Sequence, residues 1–105
     1  MQSITAEQLA TLQQAGDKLV LLDVRDPWEF EICRLAGSVN IPMGEITGRM
    51  NELEAEARTI VICHFGMRSQ QVGNYLETAG FSDIVNLEGG LDAWAEQVDQ
   101  DMPRY

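Results

Sequence analysis

The chain has 105 residues, enough for one hydrophobic core and too few for two. Apolar residues make up 45% and charged ones 23%, the balance of a globular chain and not of a disordered one. Seven Lys plus Arg stand against seventeen Asp plus Glu, and the resulting net charge of −10 argues against nucleic acid and anionic membranes as partners, because its field repels phosphate. No stretch approaches the roughly 20 apolar residues that cross a bilayer. The opening MQSITAEQLATLQQ lacks the basic start and apolar core of a signal peptide, so a cytoplasmic chain is expected. Cys33 and Cys63 lack CxxC or Cys/His zinc spacing, and in a reducing compartment both are free thiols.

Short apolar runs alternate with amphipathic stretches, the pattern of one α/β domain covering residues 1–105. Thr5 and Gln8 form a capping box ahead of a first helix, with Leu9 and Leu12 on one face and Gly16 as its stop. KLVLLDV is a continuous apolar run, suited to a strand buried on both faces. In DPWEF, Asp26 is the N-cap, Pro27 the first helical residue and Glu29 the capping-box partner of a short helix reaching Cys33 or Leu35. GSVNIP reads as a turn, a brief strand and an exit at Pro42. Residues 45–57 carry Ile46, Met50 and Leu53 at helical spacing. RTIVIC is the most strand-like run. A helix over 69–79 presents Val72, Tyr75 and Leu76 and closes at Gly80, DIVNL forms another strand, and GGLDAWAEQV opens a last helix after a glycine turn. The interleaving predicts a mostly parallel sheet of about four to five strands with helices on both faces. Ligands bind such sheets at the carboxyl ends of the strands, where Cys63 lies.

In VICHFGMRSQQV the strand ends near Cys63 and the helix begins near Arg68 or Ser69. A loop this tight, with Gly66 to take an unusual backbone angle, turns successive N–H groups inward. The following helix adds unpaired N–H groups and the positive end of its dipole. Sulfur at the centre of that ring is favoured as thiolate, the nucleophilic form, or as a charged persulfide. Arg68 is placed either to meet an oxyanion or to tie down loop carbonyls. Burial as a small hydrophobe is the other fate open to a free cysteine, but a strand end beside a Gly/Arg loop is a poor place for it. One histidine and two separated cysteines supply too few soft ligands for a metal.

The segment CHFGMRS resembles the C-x-x-G-x-R-S loop of single-domain rhodanese-like sulfurtransferases. LLDVRDPWEF is similar to that family's D-V-R-x-x-x-E segment followed by Phe or Tyr, LAGSVNIP to its I-x-G-A-x-N-I-P, and LEGGLDAW to its G-G-x-x-x-W. Together, in the family's order, they cover the chain from about residue 19 to about residue 97. The chain departs from the pattern at Cys33-Arg34, where Gly-His is common, and at Ser38, where Ala is usual.

The resemblance implies a rhodanese-like fold and sulfur transfer through a persulfide on Cys63. It implies a small anionic donor such as thiosulfate, with cyanide, a thiol or a protein as acceptor and no cofactor. His64, Phe65, Gly66, Met67, Arg68 and Ser69 would form the substrate-binding loop, their N–H groups cradling the sulfur.

Asp23, Arg25 and Glu29 read as a hydrogen-bonded ion network anchoring the DVRDPWE turn, and Trp94 as a core anchor. Phe65 and Met67 form an apolar rim. His64 is not needed as a base beside a thiolate and is free to face solvent. Cys33 reads as a packing residue, since a disulfide with Cys63 needs alpha carbons within ~7 Å. A cysteine phosphatase or arsenate reductase is the rival enzyme. Such loops place one residue more between Cys and Arg than the four found here, which makes a ring large enough for a tetrahedral oxyanion. A non-catalytic binding or sulfur-relay module is the third class.

Overall fold

The three apolar runs of the sequence become the middle of the sheet. In the computed structural model, which describes residues 1–105, the strands are β1 (Gln2–Ile4), β2 (Val20–Asp23), β3 (Val39–Asn40), β4 (Thr59–Ile62) and β5 (Ile84–Leu87). They lie in the order β1-β5-β4-β2-β3, and every pairing is parallel. Helices α1 (Ala6–Gln14), α2 (Pro27–Ile32), α3 (Ile46–Arg49), α4 (Met67–Thr78) and α5 (Gly90–Gln97) connect them. The central strand β4 is buried along its whole length, so its apolar residues alternate between two faces, and the single core expected from length is divided by the sheet into two layers.

Ile60 and Ile62 face a layer built from α1 and α5, with Leu9, Leu91 and Trp94. Val61 and Cys63 face the α3/α4 layer, with Ile46, Val72 and Leu76. Full burial of each large aliphatic side chain here contributes about 1.5–3 kcal/mol. Trp94, at 7% exposure, is the core anchor its motif suggests. No helix is long and apolar enough to cross a membrane.

Local signals place the helix starts well. The Thr5 box is complete: Gln8 N–H donates to Thr5 Oγ1 at 3.1 Å, and Thr5 N–H donates to Gln8 Oε1 at 2.9 Å. At α2, Asp26 N–H donates to Glu29 Oε1 at 3.0 Å. The ends and short pieces differ from expectation. Helix α2 stops at Ile32, and Cys33 is extended (φ −158°) because the buried Arg25 guanidinium takes the Cys33 and Glu29 carbonyls. The 45–57 segment is instead 43–52, a 3₁₀ turn, the α3 turn and a second 3₁₀ turn, with Leu53 beyond its end. Helix α4 begins at Met67, one or two residues before the expected start at Arg68 or Ser69, because Gly66 in the left-handed region caps it. Strand β1, three residues against β5, has no periodicity to announce it.

One ion pair fixes the carboxyl end of β2. Arg25 and Asp23 are both fully buried, with Arg25 Nη2 2.7 Å from Asp23 Oδ2 and Nε also bonded to the carboxylate. The remaining Arg25 donors reach the Glu29 carbonyl at 3.2 Å and the Tyr105 hydroxyl at 2.9 Å. Removing one partner of such a pair strands a buried charge. Arg25→Met should therefore cost about 3–5 kcal/mol in urea unfolding, whereas Arg49→Ala, which breaks two exposed pairs, should leave stability nearly unchanged. Equal losses would show that the Arg25 network is not a structural anchor.

Candidate active site

Residues 63–66 form the turn from β4 into α4, and its shape follows from two glycines. Gly66 has φ +101°, and a Cβ there would press on the backbone of Leu87 and Gly89. Gly90 has φ +59°, and a Cβ on it would overlap the carbonyl oxygens of Cys63 and His64. Its absence lets the start of α5 close on the loop. Leu91 N–H donates to the Cys63 carbonyl at 2.9 Å, and Asp92 N–H donates to that of His64 at 3.0 Å. The loop carbonyls thus turn toward α5, which frees N–H groups for the opposite side.

Cys63 Sγ lies there. Gly66 N–H donates to it at 3.0 Å and Ser69 N–H at 3.4 Å, and the residue is 1% exposed. These are two of the N–H groups between His64 and Ser69. Those of Phe65, Met67 and Arg68 have no acceptor within the chain.

Behind the sulfur stands a residue that the sequence reading did not single out. Asn86 shares with Ile84 the face of β5 that packs on α4, and it is 6% exposed. A buried amide costs stability unless its hydrogen bonds are made. Both halves are used: Asn86 Nδ2 donates to the Gly66 carbonyl at 3.2 Å, and Oδ1 accepts the Ser69 hydroxyl in a short bond of 2.5 Å. With its proton committed to Asn86, Ser69 Oγ accepts from the Cys63 thiol at 3.3 Å. The signal available in sequence was the lone polar residue in DIVNL.

Arg68 contacts no loop carbonyl. It forms a two-pronged pair with Glu29, Nη1 to Oε1 at 2.7 Å and Nη2 to Oε2 at 2.9 Å. The same carboxylate accepts the Tyr105 hydroxyl at 2.6 Å. Arg68 first, helped by Tyr105 and the Asp26 N–H against the effect of burial, lowers the Glu29 pKa to about 2. Burial, reinforced by the hydrogen bond to Glu29, pushes Tyr105 up to about 12. Asp23, Arg25 and Glu29 do form a network, closed by Tyr105, which no motif had marked.

His64 does not stand free in solvent. Its ring stacks between Phe65 (centroids 4.0 Å apart) and Tyr105 (4.2 Å), and Trp28 meets Tyr105 edge-on at 5.6 Å. Burial in this stack pushes the imidazole pKa down, toward the neutral form. Phe65 and Met67 are 60% and 73% exposed and rim the loop. Cys33 packs in the α1/α5 core layer and Cys63 in the opposite one, so the sheet separates two free thiols.

The family model of the rhodanese-like domain matches residues 5–97. The chain belongs to the rhodanese-like family. Among relatives of this rhodanese-like chain, a probable adenylyltransferase/sulfurtransferase, MoeZ of Mycobacterium tuberculosis, is 37% identical over 98% of the chain, which spans 27% of that protein. The thiosulfate sulfurtransferase GlpE of Pseudomonas syringae is 35% identical over 87% of the chain and 84% of its own length. Several of the curated relatives are much longer, and the chain spans only about a quarter to a third of their length. A rhodanese-related protein from Thermoplasma volcanium superposes with a TM-score of 0.85 at 35% identity, over 93% of this chain and 94% of its own. Human TSTD1, at 21% identity and a TM-score of 0.81, shares the fold.

Asn86→Leu, similar in size, takes the acceptor from the Ser69 hydroxyl and leaves the Gly66 carbonyl with the Gln70 N–H alone, and should cost about 1–3 kcal/mol in urea unfolding. An unchanged stability would show that the amide does not tie the loop. Glu29 gives a pH signature. Its folded pKa of about 2 lies below the ordinary 4.5, so its stabilisation is full above that value and is lost as pH falls toward 2. The stability gap between the protein and Glu29→Gln should narrow by roughly 2 kcal/mol from neutral pH to pH 2. A constant gap would show that the carboxylate gains nothing from Arg68.

Proposed function

We propose that the chain is a sulfurtransferase that carries sulfane sulfur as a persulfide on Cys63, with thiosulfate as a competent donor. The observation that carries this reading is the nearly sealed Cys63 Sγ, which receives the Gly66 and Ser69 N–H groups in a loop one residue too short for a phosphatase. The N–H groups of Phe65, Met67 and Arg68, free of any acceptor in the chain, are available to the second sulfur. Likeness to a thiosulfate sulfurtransferase along most of both chains supports the same chemistry.

In the first half-reaction the Cys63 thiolate attacks the outer sulfur of thiosulfate. The S–S bond breaks, sulfite leaves with its electron pair, and the thiol proton has gone to solvent. In the second, an acceptor such as cyanide or a thiolate attacks the outer sulfur and Cys63 leaves as thiolate. Cys63 is the nucleophile and leaving group. His64, Phe65, Gly66, Met67, Arg68 and Ser69 form the substrate-binding loop, with backbone N–H groups stabilising charge on the sulfur being moved. Neither half requires a base, so no proton transfer is assigned to the stacked His64. The reaction calls for no metal or organic cofactor, and a cytoplasmic setting suits a free thiol.

The test is intact mass after incubation of the reduced protein with thiosulfate. A gain of one sulfur atom, removed by cyanide and missing in Cys63→Ser, is the expected result. A folded Cys63→Ser that still gains sulfur would overturn the assignment, as would a wild-type protein that gains none from thiosulfate or from an organic persulfide.

A further inference from the structure

The expected rim cation is not free. Arg68 is two-pronged on Glu29, whose side chain is only 5% exposed, so the pair is a fixed feature of the wall. The other cations near the loop are matched in the same way. Arg25 is on Asp23 at 2.7 Å, and Arg104 is on Asp92 at 2.7 Å. His64 is stacked between two rings, and its burial there pushes it toward the neutral form. The mouth of the Cys63 loop therefore carries no uncompensated positive side chain, in a protein of net charge −10. Its outer surface is apolar: Phe65, Met67 and the nearby Trp28, 57% exposed, offer nothing to replace the water shell of a dianion.

Building on the sulfur-transfer assignment, we propose that Glu29 is a specificity-determining residue: by masking Arg68 it sets the site for a thiol-borne persulfide, R–S–SH, in preference to a small dianion such as thiosulfate. The step balances without a co-reactant. The Cys63 thiolate attacks the terminal sulfur, the S–S bond of the donor breaks, the thiolate R–S⁻ leaves with the electron pair, and the proton stays on the transferred sulfur. Both donor types meet the same backbone N–H groups, so the side-chain charge that Glu29 cancels is the feature that discriminates between them. Glu29 touches neither sulfur and acts through Arg68.

The deciding measurement needs no turnover. Cys63 is alkylated with iodoacetate, an anion, and with neutral iodoacetamide in a Cys33→Ala background, and the ratio of the two rate constants reads the charge at the mouth. Glu29→Gln, which keeps an acceptor for the Asp26 N–H, should raise the ratio about fivefold, the effect of one uncovered charge in a partly solvated loop. Arg68→Met should lower it by a similar factor, and Arg68→Met with Glu29→Gln should return it to the starting value. With thiosulfate as substrate, Glu29→Gln should lower KM about fivefold and leave kcat in place. A ratio that Glu29→Gln leaves unchanged would overturn the proposal, and so would a double variant well below the unsubstituted protein, because either shows Arg68 already acting on anions. Failure of sulfur transfer itself would appear in the mass experiment and leave the alkylation ratios readable.

Discussion

The buried guanidinium of Arg25 is the contact on which this end of the molecule depends. It leaves the carboxyl end of β2, binds Asp23 beside it, takes carbonyls from α2 and the residue after it, and receives Tyr105 from the far end of the sequence. A charge with no exposure is tolerable only when its donors are used, and here strand, helix and tail each supply an acceptor. Tyr105 passes the constraint to Glu29, and Glu29 passes it to Arg68 at the start of α4. The wall beside Cys63 is thus held by a chain of charge-assisted bonds that begins one strand away. Specificity of geometry, more than net stability, is what such a chain contributes.

The loop itself is held from three sides. Helix α5 takes its carbonyls, Asn86 takes the Gly66 carbonyl and the Ser69 hydroxyl, and α4 presents the Ser69 N–H. Each hold needs a particular small or polar residue where packing alone would favour an aliphatic. Gly90 exists because two carbonyls occupy the space of its Cβ, and Asn86 exists because a tight turn leaves acceptors and donors that water cannot reach. Ser69 is the variable part. Its single proton now points to Asn86, so a negative sulfur would present it with a better acceptor.

Much of this was legible in the residues. The capping box at Thr5, the Asp26-Pro27 start and the runs at 59–62 and 84–87 gave elements and order, because each signal is local. The Cys63 loop was legible for the same reason, since a strand end, a glycine and an arginine within six residues define a turn. The misses share a cause. Strand β1 is a strand only because β5 lies beside it. Helix α2 ends early because Arg25 takes its carbonyls, and His64 is stacked because Tyr105, 41 positions later, folds back over it. The partner of Arg68 was in plain view at Glu29, but proximity across 39 positions is a tertiary fact.

The borders of the sheet carry a further consequence. Its outer strands are β1, of three residues, and β3, of two, so each border offers only a few unpaired backbone groups. Short edges give an incoming chain too little ladder to extend. A sheet finished in this way can be spliced beside unrelated polypeptide without drawing it into register. That property suits a module that recurs as a quarter or a third of much longer proteins.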